Sequence, residues 1–262
     1  MRRNEGSTRE DRSAATTAGI LYVTGTVTGV LSMVVSAPVR SADDPLAAAR
    51  TTPERVVTGA QLVLVMGLSL AFVPVVLFPV LRRVNEVLAV GYLIVRGAVE
   101  TVGYVLAAIG WLLLVPLGAA ISAGPGTASP VGMHLGSLLV GAEATGAAST
   151  LVFCLGAVVF YSLLYRSRIV PRWIAAWGLV AIMSYVAADV LAIYAVIGAD
   201  STEQVVMFMP LTVQEMVLAV WMIARGFRPA AVSPRSDLGD GTPAGCRAQA
   251  STTIAMTTGS RR

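Results

Sequence analysis

The stretch YLIVRGAVETVGYVLAAIGWLLLVP, from Tyr92 to Pro116, is apolar and long enough to lie across a bilayer, yet it carries Arg96 near its start and Glu100 four residues later. About 20 apolar residues cross ~30 Å of hydrocarbon as an α-helix. A central arginine or aspartate costs roughly 2.5–3.5 kcal/mol on insertion scales, which the many Val and Leu residues of this run outweigh. Positions i and i+4 share a helix face, so the spacing lets Arg96 and Glu100 neutralise each other. An alternative is that Arg96, near the end of a long helix, snorkels its guanidinium to the headgroups.

Working outward, the whole chain has the same character. Of 262 residues, 55% are hydrophobic and 13% charged, about half the charge of a soluble domain, and the mean hydropathy is +0.73. The expected fold is an all-α, polytopic transmembrane helix bundle of six spans. The apolar runs are 18–37, 56–81, 87–122, 133–165, 173–197 and 205–224. The first resembles a secretory leader, with Val35-Ser36-Ala37 as a cleavage-like site. It is longer than an h-region of roughly 7–15 residues, and Pro38 hinders cleavage, so a retained span is expected. Residues 1–17 read as a disordered N-terminal segment, 18–228 as the transmembrane domain, and 229–262, rich in Pro, Ser, Thr and Gly, as a disordered tail.

Charge orients the bundle. All 19 basic residues are arginine. Fifteen fall in the N-terminal segment, the turns at Arg82 and Arg166–Arg172, and the chain from Arg225 onward; three, Arg40, Arg50 and Arg55, fall on the other side. The positive-inside rule then places both termini in the cytoplasm, in a cell inner membrane. Trp173, Trp177, Tyr165 and Trp221 fall at that boundary, as an aromatic belt requires. The basic pI belongs to topology, and no nucleic-acid partner is expected.

Three further acids sit inside spans: Glu143 in LLVGAEATGAAS, Asp189 in SYVAADVLAIY and Glu215 in PLTVQEMVLAVW. Carboxyl groups in hydrocarbon turn to the bundle interior, where they either hydrogen-bond as packing devices or mark a solute or ion route. Arg96, Glu100, Glu143, Asp189 and Glu215 therefore form a candidate polar cluster binding a small solute or cation. The competing reading is an accessory membrane protein whose buried charges only specify helix packing. Gly25 and Gly29, and Gly132 and Gly136, have the spacing that permits close helix approach, within the bundle or in a homo-oligomer.

Catalysis has little support. One histidine cannot build a hydrolytic zinc site, and no metalloprotease, serine-hydrolase or phosphate-loop motif is present. Cys154 and Cys246 have no CxxC partner. No metal or cofactor is expected.

The turn YRSRIVPRW, from Tyr165 to Trp173, together with LIVRGAVE and EMVLAVWMIARGF, resembles the bacterial membrane proteins grouped as domain-of-unknown-function family 4386. The likeness runs from about Ile20 to Phe227. It implies a six-helix integral membrane protein and supplies no activity, substrate or cofactor. By it, Arg96, Glu100, Arg166, Ser167, Pro171 and Glu215 match family motifs without an assigned role.

Overall fold

Hydrocarbon offers the backbone no partners, so each crossing segment must close its own hydrogen bonds as helix. The computed structural model describes residues 2–121, 134–139, 147–194, 196–198 and 201–227, and every regular element among them is helical. The helices are α1 (Arg2–Arg40), α2 (Pro45–Thr51), α3 (Pro53–Leu81), α4 (Glu86–Tyr92), α5 (Glu100–Ile121), α6 (Ala147–Ser167), α7 (Arg172–Ile193) and α8 (Thr202–Arg225). A π-helical segment, Leu93–Val99, joins α4 to α5. Six stretches are long and apolar enough to span: Arg9–Arg40, Pro53–Leu81, Glu86–Ala120, Ser149–Ser167, Arg172–Ile193 and Thr202–Arg225. The shortest, 19 residues, reaches about 28 Å at 1.5 Å per residue.

The outer surface is apolar, as lipid demands. Val180 and Met183 on α7 are 70% and 71% exposed. Inside, one core joins Tyr22 of α1, Leu77 of α3, Tyr92 of α4, Phe160 and Tyr161 of α6, and Leu218 of α8. A second, smaller core around Val39, Leu46, Val56 and Trp111 seats α2 at the opposite end. Side chains cap the starts: Asp44 accepts from the Ala47 N–H, Asn85 from Leu88 and Ser201 from Gln204. Gly226, at φ 67°, ends α8 in a conformation that a side chain disfavours.

Two expectations change. Much of the segment 1–17, expected to be disordered, is helical from Arg2 onward. Ala15 and Ala18 are fully buried in the main core, and Asp11 accepts two bonds from Arg83 Nη1, at 2.9 and 3.0 Å. An alanine face and the Arg83–Asp11 ion pair help to hold it, and neither registers as an apolar run. Of the fourth span, expected over 133–165, residues 134–139 and Ala147–Ser167 are helical, and 140–146 lie outside the described residues. The third span is interrupted by a π segment where its arginine sits. The tail 229–262 lies outside the described residues.

Small residues set the closest approaches. A Cβ on Gly25 would lie 2.9 Å from Leu70, and one on Gly29 2.6 Å from the Met66 sulfur. The Gly25/Gly29 face is thus occupied by α3 of the same chain. Gly136 meets Leu46 of α2 in the same way; Gly132 lies outside the described residues. The turn YRSRIVPRW is a built corner. Arg168 takes φ 56°, Ile169 and Val170 tuck into the core at 1% exposure, Pro171 caps α7, and Arg172 stacks over Tyr165 at 5.1 Å. Arg166 and Ser167 close the last turn of α6.

Candidate functional site

Arg96 is 3% exposed and sits in the π segment. Around it, Gly97 faces the Pro74 ring, and Gly156 of α6 lies beneath the arginine stem, where an added Cβ would come 3.6 Å from the Arg96 Cβ. The guanidinium stays inside instead of snorkelling. Its Nη1 donates to Glu100 Oε2 at 3.1 Å, its Nη2 lies 3.8 Å from Glu215 Oε1, and its Cζ stands 4.6 Å over the Phe153 ring. The Tyr104 hydroxyl donates to the other Glu100 oxygen at 2.5 Å. Residues 96, 100 and 104 therefore form a ladder at spacing four, and Glu100 has both oxygens engaged.

Glu215 reaches this ladder because its neighbour fixes the rotation of α8. Gln214 is fully buried, accepts from the Tyr161 hydroxyl at 2.6 Å and donates to the Ile174 carbonyl at 3.0 Å. One amide thereby ties α6, α7 and α8 together. Asp189 of α7 is 8% exposed and has the Thr150 hydroxyl as its hydrogen-bonding neighbour. Glu143 lies outside the described residues.

Arg96, Glu100, Asp189 and Glu215 line a single cavity of about 460 Å³. Phe153, Tyr185 and Phe208 form one of its walls, with ring centroids 5.2 Å apart for the first pair and 4.0 Å for the second. Arg40 and Gln204 also line it, so it extends to the end of the bundle where α1 stops and α8 begins. Towards the other end, Tyr22, Tyr92, Phe160 and Tyr161 are each 1% exposed; Tyr92 stacks on Phe160 at 4.8 Å, and the Tyr22 and Tyr92 hydroxyls meet at 3.4 Å. A second groove, about 580 Å³ between Trp173 and Trp221, is walled by Val213, Val217 and Val220 and has Arg225 as its one ionisable group. It is a lipid-facing surface without comparable chemistry.

Four of the five residues expected to cluster thus share one cavity. Tyr104, Gln214, Tyr161, Phe153 and Thr150 were not anticipated. Tyr104 was within reach of the same spacing rule that paired Arg96 with Glu100, and Gln214 was visible as an amide in an apolar run. Among the described residues, no three His, Cys, Asp or Glu side chains gather as metal ligands.

No curated protein and no solved structure matches the chain. The model of the family described as Domain of unknown function (DUF4386) does match, over residues 17–226, which takes in all of the spanning helices but the start of the first, and all five charged residues that line the cavity. The chain is therefore a member of the DUF4386 family, a multi-pass membrane protein built on six apolar helices.

Proposed function

We propose that the interior cavity binds a small polar solute, and passes it on or senses it, at Arg96, Glu100, Glu215 and Asp189. The observation that carries this reading is the convergence of ionisable groups from three separate spans on one cavity. Charge inside a membrane is costly and faces an interior path by default. A packing device needs contact between helices, not a void of this size. The void falls in the roughly 300–1,000 Å³ range of small-molecule sites. The arginine asymmetry supports an inner-membrane orientation with both termini cytoplasmic, which directs the open end of the cavity outward.

Reconstituted protein tests this. Solute-induced signals in proteoliposomes should vanish in Glu215→Gln and in Glu100→Gln while both variants keep their elution profile in detergent. Wild-type signals in both would overturn the reading. A packing-only role has one observation in its favour, the internal saturation of Glu100 by Arg96 and Tyr104. That role leaves the cavity unexplained.

A further inference from the structure

We infer that the ligand class is an organic ammonium carrying a neutral acceptor oxygen, seated between Asp189 and the Tyr185–Phe208 part of the aromatic wall; this rests on the cavity being a binding site.

Three features of the inner chamber converge on that chemistry. The first is charge. Glu100, Glu215 and Asp189 face the chamber against Arg96 alone, with Arg40 at the mouth held 5.7 Å over the Trp111 ring. Arg96 is shared by Glu100 and Glu215, and among the described residues Asp189 has no arginine within ion-pair distance. A carboxylate 8% exposed, with the Thr150 hydroxyl beside it but no arginine among the described residues, calls for a cation.

The second is the aromatic wall. Phe153 already holds the Arg96 guanidinium, its Cζ 4.6 Å from the ring, which leaves Tyr185 and Phe208 to a ligand. Ring faces attract ammonium groups through their quadrupole, most strongly where water is excluded. An inorganic divalent ion instead wants about six oxygen ligands, and no such ligand set gathers among the described residues.

The third is an orphan donor. The Nε of Arg96 is buried and has no hydrogen-bond partner. A buried N–H left unpaired costs about 1–3 kcal/mol, so it points to a missing acceptor. Because Glu100 and Glu215 already flank this guanidinium, an anionic ligand would be repelled, and a carbonyl, ester or hydroxyl oxygen fits.

Full-length protein in nanodiscs, titrated by intrinsic fluorescence, tests the assignment with acetylcholine, its uncharged carbon isostere 3,3-dimethylbutyl acetate, and the carboxylate hexanoate. Acetylcholine should bind about tenfold or more tighter than the isostere, and Asp189→Asn should erase that preference. Tyr185→Leu, which keeps bulk but removes the ring, should weaken the cation and spare the isostere; it also serves if the aspartate variant fails to fold. If isostere or hexanoate binds as well as acetylcholine, and Glu215→Gln still abolishes binding, the ligand class is wrong and the cavity reading stands. If none of the three binds, the ligand class falls, and the cavity reading stands or falls by the solute signals of Glu215→Gln and Glu100→Gln.

Discussion

Arg96 is held by groups that cannot all be removed at equal cost. Its partners Glu100 and Glu215 come from its own helix and from α8, with side chains 2% and 15% exposed. Breaking a buried ion pair from one side costs about 3–5 kcal/mol, whereas replacing both partners by apolar groups is often near neutral. Arg96→Ala should therefore lower thermal stability in detergent far more than Arg96→Leu combined with Glu100→Leu. A double variant that melts below the single one would contradict this. Gln214 makes the complementary case for a neutral group. Gln214→Leu leaves the buried Tyr161 hydroxyl without its acceptor and removes the extra bond to the Ile174 carbonyl, so a loss of about 1–3 kcal/mol is expected. Because it also frees the rotation of α8, the 3.8 Å approach of Glu215 to Arg96 should loosen, and the solute signal should fall with stability. The pairing of Arg96 with Glu100 was legible from spacing within one helix. The approach of Glu215 was not, since no periodicity within a span tells which neighbouring span its acid will meet.

Between helices, glycine decides how near one can come to the next. A Cβ on Gly67 of α3 would lie 2.7 Å from the Tyr104 Cβ, whereas one on Gly91 of α4 would meet nothing within 4 Å. Gly67→Val should wedge α3 from α5, cost about 1–3 kcal/mol through overpacking, and carry the Tyr104 hydroxyl away from Glu100. Gly91→Ala should be neutral or stabilise by up to about 1 kcal/mol, as helix propensity alone predicts. Thermal melts of the two variants in the same detergent check the contrast. Length and apolarity made the six spans legible. They missed the π segment, because an i→i+5 register such as the bond from the Glu100 N–H to the Val95 carbonyl leaves no compositional trace. They missed the helical start of α1 for another reason: its buried face is alanine, Ala15 and Ala18, embedded among charges that resemble a solvated segment.

For the molecule as a whole, the distribution of charge along the bundle axis and the direction of the cavity make one joint statement. Arg12 touches Gly226 and Arg83 pairs with Asp11, so the start of α1, the end of α3 and the end of α8 share one end of the bundle. Arg40, Arg50 and Arg55 occupy the other. The cavity runs from Arg96 toward Arg40 and is closed by packed aromatics on the opposite side. If the arginine-rich end faces the cytoplasm, solute enters from outside. In a background lacking Cys154 and Cys246, Ser41→Cys in the exposed turn after α1 should react with a membrane-impermeant maleimide on intact cells. Glu86→Cys, exposed at the start of α4, should react only after permeabilisation. The reverse pattern would turn the molecule over, and the binding chamber would then draw its ligand from the cytoplasm with every internal contact unchanged.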